Sequence, residues 1–271
     1  MNKLTKLLFW STFSLCLNAQ VTLGPTVTTF GVLAGSTVTN TGPTTDTGNV
    51  GVSAGSAITG FPPGAVFSGT LHSADATAAQ AQVDLTAAYN TAMGLPCPGG
   101  NVLTGVDLGG LTLTPGVYCF ATSAQLTGTL TLNGQGNSSA EFIFQIGSTL
   151  TTASSSAVVL INNAQAANVF WQVGSSATLG TSTTFYGNIM AQASITLNTS
   201  AVISIGRALA RVGAVTLASN TVSSPGTPGG GPGGGGGVTP APSSLILVAL
   251  GLFCAAIYQV RERLLQQFKW R

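Results

Sequence analysis

Charged residues are scarce in this chain. Of its 271 residues, 8 are Lys or Arg and 6 are Asp or Glu, which is 5%, whereas an ordinary soluble domain carries roughly a quarter. This composition excludes disorder driven by self-repelling charge. It also excludes the basic surface that a nucleic-acid partner requires.

Long apolar runs are missing from most of the chain as well. Between Gln20 and Ser244 no run approaches the ~20 residues that a membrane-spanning helix needs. Hydroxyl side chains take the place of charge, because residues 21–224 contain 33 Thr and 21 Ser among 204 positions. The sequence therefore indicates a soluble fold with an uncharged, hydroxyl-rich surface.

The two ends of the chain differ from this middle part. Residues 1–19 are typical of a secretory signal peptide that is cleaved after Ala19. Residues 225–244 are a Gly/Pro-rich linker, and residues 245–271 read as an apolar anchor helix with a basic tail. That tail resembles a PEP-CTERM sorting signal, although Ala241 stands where the signal has Glu. We expect a protein secreted or anchored at the cell surface, held to the membrane through its C-terminal segment.

Only two cysteines, Cys97 and Cys119, fall between these ends. In an exported protein such a pair most simply forms a disulfide. The bond would stabilise the fold by ~3 kcal/mol on the chain-entropy estimate. Since His72 is the one histidine of the chain, we expect neither a metal site nor a cofactor.

The dipeptide Thr-Leu recurs through the middle of the chain at intervals of 19, 18, 29, 18 and 20 residues. An interval near 19 is typical of one turn of a β-solenoid with two or three short strands per coil. Short β-prone stretches accompany the dipeptides at residues 141–146, 158–161, 168–173 and 194–197. We predict a mostly β fold, an irregular β-solenoid in which the long interval is a coil with a larger loop. The dipeptides begin at Thr112, Thr131, Thr149, Thr178, Thr196 and Thr216.

Residues 73–93 depart from this pattern because they lack Gly and Pro and are rich in Ala. They predict one long α-helix, capped by Ser73 and ended by Gly94 and Pro96, that lies along the solenoid. Asp75 and Asp84 are expected to be solvated helix charges. The apolar stripe at helical spacing comprises Ala74, Ala78, Ala81, Leu85, Ala88 or Tyr89, and Ala92.

Groups for acid–base catalysis are few. General acid–base chemistry uses His or tuned carboxylates, and the middle part offers one His and five acids. A polysaccharide-cleaving β-helix enzyme would need Asp46, Asp107 or Glu141 to converge. Arg207 and Arg211 are interpreted as solvated residues between coils. We predict that the protein is not an enzyme.

Small hydroxyl-bearing clusters follow the last four Thr-Leu dipeptides. On neighbouring coils they would stack about 4.8 Å apart and form a flat, uncharged lattice of hydroxyls and methyls. Charge would hold hydration in the wrong geometry for ordered water, whereas Thr presents a rigid methyl beside a hydroxyl. A corner at Gly180 and Asn198 would turn the first and third positions of each cluster outward, and another register would add Ser155 and Thr184. The predicted ice-binding residues are Thr152, Ser154, Ser155, Thr181, Thr183, Thr184, Thr199, Ser219 and Thr221.

Residues 21–224 resemble the large microbial ice-binding (antifreeze) protein family that was once catalogued as a domain of unknown function. The resemblance implies an irregular right-handed β-solenoid of triangular section with one long helix alongside. It also implies that ice binds one flat face, without a cofactor. The stretches that carry it include FGVLAGSTVTNTGPT at 30–44, ADATAAQAQVDLTAAYN at 74–90, LGGLTLTPGVYCF at 108–120 and NVFWQVGSSATLGTSTTFYGNI at 168–189.

The sequence therefore predicts an exported, monomeric ice-binding protein that inhibits ice growth and recrystallisation. Its partner is the surface of an ice crystal, with no nucleic acid involved. The alternative is a structural or adhesive module of the cell envelope that binds glycan or other cells.

Overall fold

The computed structural model describes residues 20–225. The predicted signal peptide, most of the linker and the apolar tail lie outside these residues. The described part contains 21 strands and one α-helix, with 3-10 helices at Val27–Thr29, Gly99–Asn101 and Ala166–Asn168. None of its helices has the length and the apolar content needed to cross a bilayer.

Seven strands and the helix precede residue 95. They are β1 (Phe30–Ala34), β2 (Thr37–Thr41), β3 (Thr45–Asp46), β4 (Asn49–Val52), β5 (Ala57–Thr59), β6 (Ala65–Val66), β7 (Leu71–Ser73) and α1 (Ala76–Gly94).

The remaining strands build the later coils. They are β8 (Thr112–Leu113), β9 (Gly116–Phe120), β10 (Ala124–Leu126), β11 (Thr129–Asn133), β12 (Phe142–Ile146), β13 (Leu150–Thr152), β14 (Ala157–Ile161), β15 (Val169–Val173), β16 (Ala177–Leu179), β17 (Thr184–Ala191), β18 (Ile195–Leu197), β19 (Val202–Ala210), β20 (Val215–Ala218) and β21 (Thr221–Val222). The four β-prone stretches read from the sequence coincide with β12, β14, β15 and β18 to within two residues.

All strand pairs are parallel, and they form three faces of a solenoid. The seven-stranded face has the order β10-β13-β16-β18-β20-β2-β5. The helix face runs β9-β12-β15-β17-β19-β1-β4-β7, and the third face runs β8-β11-β14-β17-β19-β21-β3-β6. Strands β17 and β19 are long enough to bend from the third face into the helix face. The predicted mostly β solenoid of triangular section is confirmed.

The order of the coils in space differs from their order in the chain. The coils before the helix stack on the last coil, because β1 pairs with β19, β2 with β20 and β3 with β21. The first strands of the chain therefore lie inside the stack, with β5–β7 at one end and β8–β10 at the other. We call the junction between β19–β21 and β1–β3 the seam.

The helix returns the chain from one end of the stack to the other. Along the helix face, β7 and β9 are separated by seven strand steps of about 4.8 Å, or about 34 Å. A helix of 19 residues spans about 28 Å at 1.5 Å per residue, so the helix and its short flanking segments cover the distance. Its length is set by the number of coils it passes.

The helix starts three residues later than the sequence predicts. Ser73 belongs to β7 and pairs with Val52. Asp75 is the N-cap, and its carboxylate accepts a hydrogen bond from the Ala78 N–H at 2.8 Å. The buried stripe agrees with the prediction except for Ala74; its members are Ala78, Ala81, Leu85, Ala88, Tyr89 and Ala92.

Two apolar clusters hold the layers together. The larger one fills the solenoid and contains a stack of aromatic rings, in which Phe144 and Trp171 lie 3.9 Å apart between centroids. The smaller one joins the helix to outward side chains of the helix face, Leu33, Ile143, Phe170, Met190 and Leu209. The helix face is therefore covered, whereas the other two faces are open to solvent.

Candidate functional site

A single row of threonines follows the axis of the seven-stranded face. The strand register pairs each member directly with the next one, from one coil to its neighbour. Gln125 continues the row at one end. We call this row of six residues the Thr ladder; in spatial order it is Thr151, Thr178, Thr196, Thr216, Thr39 and Thr59.

The ladder points outward because of strand alternation. In β18, Ile195 and Leu197 are fully buried and Thr196 between them is not. The same order holds in β16 and β20, where Thr178 and Thr216 lie between buried residues. Side chains alternate between the two sides of a strand, so apolar residues fill the interior and one threonine per coil faces solvent.

The ladder lies on a face without charge. None of its seven strands contains Asp, Glu, Lys or Arg. The first charge along the row is Asp107, which bridges to Gln125 beyond the last threonine. The Asp107 carboxylate accepts from the N–H groups of Gly109 and Thr127 at 2.7 and 2.9 Å. The uncharged row therefore ends where a fixed carboxylate begins.

The hydroxyls of the ladder are available to water. Among residues 20–225, those of Thr39, Thr151, Thr178, Thr196 and Thr216 make no hydrogen bond to other protein groups. Thr59 makes one long contact, at 3.5 Å to the carbonyl of Val38. Adjacent strands are about 4.8 Å apart, so these hydroxyls form a regular line of unsatisfied donors and acceptors.

A second row lies two residues before the ladder and is more constrained. The Thr149 hydroxyl donates to the Ser123 hydroxyl at 2.8 Å. The Ser176 and Ser194 hydroxyls accept the N–H groups of Ser194 and Ala214 at 3.3 and 3.2 Å. Because these oxygens already have protein partners, they stiffen the face beside the ladder.

The predicted hydroxyl clusters occupy the corner between the seven-stranded face and the third face. Four serines of the corner have left-handed backbone, with φ values of 59°, 57°, 60° and 52°. Each of them donates its N–H to a backbone carbonyl of the next coil in the stack. The first of these bonds runs from Ser155 to Thr181 and the last from Ser219 to Thr41. The four serines are Ser155, Ser182, Ser200 and Ser219.

The nine predicted residues are divided among three places. Ser154, Ser155, Thr181, Thr199 and Ser219 lie in the corner turns. Thr184 and Thr221 lie in one row of the third face, on either side of Val202. The other two, Thr152 and Thr183, point inward.

The prediction that Thr152 and Thr183 face ice is wrong. They are 3% and 0% exposed, and their hydroxyls are 2.8 Å apart. Thr183 donates to the carbonyl of Ala153 at 3.1 Å, and Thr152 accepts the Gly180 N–H at 2.8 Å. The turn at residues 180–183 places the third position of the cluster inside, where its hydroxyl satisfies backbone groups.

Sequence reasoning did not select the ladder, although its signal was visible. Thr178, Thr196 and Thr216 are the threonines of three Thr-Leu dipeptides, which served only to find the repeat. Thr151 follows Leu150 instead of preceding a leucine, and Thr39 and Thr59 lie before the helix. Only the register of β2 and β5 brings those two into the row.

The titratable groups of the described residues serve structure. The pKa of Asp75 is lowered chiefly by the Ala78 N–H and then by His72, whose ring lies 2.7 Å from the carboxylate. Asp84 accepts from Thr26 and Val27, and although burial acts to raise its pKa, hydrogen bonds lower it overall. Asp84 therefore fixes the 3-10 helix at Val27–Thr29 and is more than a solvated helix charge.

Arg207 is buried, and its interpretation as a solvated residue is wrong. It is 4% exposed and donates to Asn188 at 2.8 Å, to the Thr28 carbonyl at 2.7 Å and to the Pro225 carbonyl at 3.3 Å. Burial lowers its pKa to about 10, against the charge of Asp46. Burial raises the pKa of Asp46 well above its usual value, against the Gly48 N–H and the charge of Arg207.

Acidic side chains of residues 20–225 are dispersed over the fold. These residues contain no group of three or more His, Cys, Asp or Glu side chains placed to hold a metal ion. Asp107 and the coil of Asp46 are six strand steps apart along the stack, about 29 Å, so these two acids do not converge. Cys97 and Cys119 form a disulfide.

Comparison with known proteins gives a consistent result. A family model described as "Ice-binding-like" matches residues 32–223. An ice-binding protein from Nostoc sp. (strain HG1) is 59% identical over 205 residues, which cover 76% of this chain and 75% of that protein. An ice-binding protein from Colwellia sp. is 35% identical over 215 residues, covering 73% of this chain and 81% of that protein.

Solved structures agree with the fold. The crystal structure of an ice-binding protein from an Antarctic biological consortium matches with a TM-score of 0.72 and 48% identity, over 76% of this chain and 91% of that one. The ice-binding protein of the Antarctic ascomycete Antarctomyces psychrotrophicus matches with a TM-score of 0.71 and 43% identity, over 75% of this chain and 98% of that one.

Proposed function

The chain belongs to the Ice-binding-like family, and from that membership we propose that it adsorbs to ice through the Thr ladder of its seven-stranded face. We choose this face because of the register of its strands. Six threonines stand directly beside one another, one per coil, on a surface without charge.

The chemistry of the ladder suits ordered water. Each threonine presents a methyl and a hydroxyl on a stiff χ1 bond, so the pair is held at a fixed height above the sheet. The strand spacing of about 4.8 Å repeats this pair along the axis. Because the hydroxyls have no strong protein partner, they can bond to waters at positions that repeat with the coil.

The absence of charge supports the same ligand. A charged side chain binds its own hydration shell strongly, and that shell does not have the geometry of a neutral water lattice. Methyl groups beside hydroxyls instead favour the release of water molecules that do not match the ice lattice, while the hydroxyls retain those that do. Adsorbed molecules restrain the ice front between them, which inhibits ice growth and recrystallisation.

A bulky substitution in the middle of the ladder tests the proposal. Thr196→Tyr places a ring on the face and holds the flanking threonines away from ice, so recrystallisation inhibition and ice-affinity partition should fall at least about tenfold. Thr131→Tyr on the third face is the matched control, since Thr131 is also an outward strand residue. Retention of full activity by Thr196→Tyr would overturn the assignment of this face.

The corner residues need a separate variant. Thr199→Tyr tests the cluster that the sequence selected, because Thr199 is exposed in the turn beside the ladder. We expect a weaker effect from Thr199→Tyr than from Thr196→Tyr. The opposite order would move the binding surface from the strand face to the corner.

The place of action is part of the proposal. The signal-like residues 1–19 and the apolar residues 245–258 support a protein that is exported and either anchored to the envelope membrane or released. Fractionation of cells should find the protein outside the cytoplasm, with its first residue at Gln20. A cytoplasmic protein with an intact N-terminus would contradict export.

A further inference from the structure

The Thr ladder is built from two separate parts of the chain. Thr151, Thr178, Thr196 and Thr216 follow one another in successive coils after the helix. Thr39 and Thr59 come from coils before it, and they join the row only across the seam, where Thr216 pairs with Thr39. Two of the six positions therefore depend on a non-covalent junction.

A column of inward side chains supports the corner beside the ladder. By strand register, Ser156, Thr183, Ala201, Asn220 and Thr44 follow one another from coil to coil, each one residue before a paired strand residue. All five are at most 2% exposed. Asn220 and Thr44 are the members of this column on the two sides of the seam.

Asn220 makes hydrogen bonds to three coils. Its side-chain amide donates to the carbonyls of Asn198 and Ala201 in the preceding coil, at 2.8 and 3.0 Å. Its carboxamide oxygen accepts the N–H of Ala218 in its own coil. Its backbone N–H donates to the Thr44 hydroxyl at 3.0 Å, across the seam.

The side chains of Thr183 and Ser156, away from the seam, bond only to the preceding coil, whereas that of Asn220 also bonds within its own coil. Thr183 bonds to Thr152 and to the Ala153 carbonyl, both in the preceding coil. Ser156 donates to the Leu126 carbonyl at 2.9 Å and accepts the N–H of Gly128 at 3.3 Å. At position 201 the column has Ala, whose small side chain is compatible with the approach of the Asn220 amide to the backbone of that coil.

The side chain of Asn220 holds the corner of its own coil against the preceding coil, and this corner presents the backbone N–H that bonds to Thr44 across the seam. Asn220 lies four residues after Thr216, and Thr44 lies five residues after Thr39, in the corner that follows the same strand pair. If this corner shifts, β2 moves along β20, and a slip of one residue turns outward side chains inward. The spacing between Thr216 and Thr39 therefore depends on the corner.

We propose that Asn220 is a positioning residue that holds Thr39 and Thr59 in register with the other four threonines of the ladder. This inference rests on the proposed function. It concerns the continuity of the binding face and not contact with ice, because Asn220 is buried.

The test compares Asn220→Ala with Ser156→Ala, a matched control in the same buried column. Amide hydrogen exchange should be at least about tenfold faster in Asn220→Ala at Thr45, Thr47 and Ser219, whose N–H groups bond across the seam. Exchange at Ser155 and Ser182, away from the seam, should change little. Ser156→Ala should leave the seam amides protected.

Ice affinity is measured on the same variants well below their unfolding temperatures. Asn220→Ala should lose at least about threefold more activity than Ser156→Ala, and Asn220→Thr, with a hydroxyl as at Thr183, should recover part of the loss. If Asn220→Ala does not fold, the ice affinity of Asn220→Thr is compared with that of Ser156→Ala instead. Unchanged exchange at Thr45 and Thr47, or equal ice affinity in the two alanine variants, would overturn the proposal.

Thr39→Tyr separates the two proposals. If Thr196→Tyr abolishes ice binding and Thr39→Tyr does not, the seam positions are not used, and the inference fails while the proposed function stands. If neither variant loses activity, the ladder is not the binding face and both fail. Loss in both variants supports the inference.

Discussion

Thr183 is buried and bonded to Thr152, whereas its neighbour Thr184 is exposed on the third face. Both belong to one hydroxyl cluster in the sequence, and residue type does not distinguish them. The difference comes from the turn at 180–183, where Ser182 adopts a φ of 57°. Such a turn breaks the simple alternation of a strand, so the outward positions after it cannot be counted from those before it.

The contrast between these two threonines gives a direct prediction. Thr183→Val keeps the shape but removes a hydroxyl that bonds to Thr152 and Ala153, so the free energy of unfolding should fall by about 1–3 kcal/mol. Thr184→Val should change it by less than about 0.5 kcal/mol. Urea unfolding measures both.

Ice affinity is the second measurement on this pair. Neither residue lies on the seven-stranded face, so both variants, when folded, should bind ice like the unsubstituted protein. A folded Thr183→Val protein without ice affinity would contradict the buried, structural role of Thr183.

At the scale of elements, the helix was the part most fully predicted from sequence. Its stripe of small apolar residues repeats at helical spacing, and that signal is local. Its start was misplaced because Ser73 pairs in β7 with β4, a contact with a distant part of the chain. Residues that serve a neighbouring strand cannot also serve as a cap, so Asp75 takes that place.

The alanines of the helix allow it to lie close to the helix face. Ala81 is fully buried in the cluster that joins the helix to Leu33 and Phe170. Ala81→Leu adds three heavy atoms to a filled interface, and we expect a loss of about 1–3 kcal/mol in the free energy of unfolding.

Ala79→Leu is the control for that change, since Ala79 is exposed on the opposite side of the same helix. It should alter stability by less than about 0.5 kcal/mol. Equal unfolding midpoints in urea for the two variants would show that the helix does not pack closely against the sheet.

At the scale of the whole molecule, the solenoid was predictable but its coil lengths and coil order were not. Register gives coil lengths of 26 and 27 residues at β10–β13–β16 and then 18 and 20 at β16–β18–β20. The Thr-Leu intervals differ because Thr112 and Thr131 lie on the third face and Thr196 on the seven-stranded face. An outward Thr beside an inward Leu fits a strand of either face, so the dipeptide alone does not identify the face.

The stacking of early coils on the last coil could not be read from the sequence either. It brings Asp46, near the start of the domain, close to Arg207, near its end. Arg207 also bonds to Thr28 and Pro225, so one guanidinium contacts both ends of the described chain. No local sequence pattern predicts such contacts, because Asp46 and Thr28 lie about 160–180 residues before Arg207 in the sequence.

This buried pair predicts how the stability of the whole domain depends on pH. Burial raises the pKa of Asp46 in the folded chain, so the folded state binds a proton more tightly than the unfolded state. The stability contributed by that proton is complete below the unfolded pKa of about 3.9 and is lost as pH rises through the folded pKa. Within that window the free energy of unfolding falls by up to about 1.4 kcal/mol per pH unit.

Asp46→Asn removes the titration while it keeps an oxygen for the Gly48 N–H. Urea unfolding from about pH 4.5 upward should therefore give a flatter pH dependence in Asp46→Asn than in the unsubstituted protein. The slope is the measurement, because below the folded pKa the Asp46 carboxyl is itself uncharged, and only above it does the substitution also remove a negative charge near Arg207. Glu141→Gln is the comparison: burial also raises the pKa of Glu141, but less than that of Asp46, so this substitution should flatten the slope less. Identical slopes for Asp46→Asn and the unsubstituted protein would show that Asp46 does not change protonation on folding in this range.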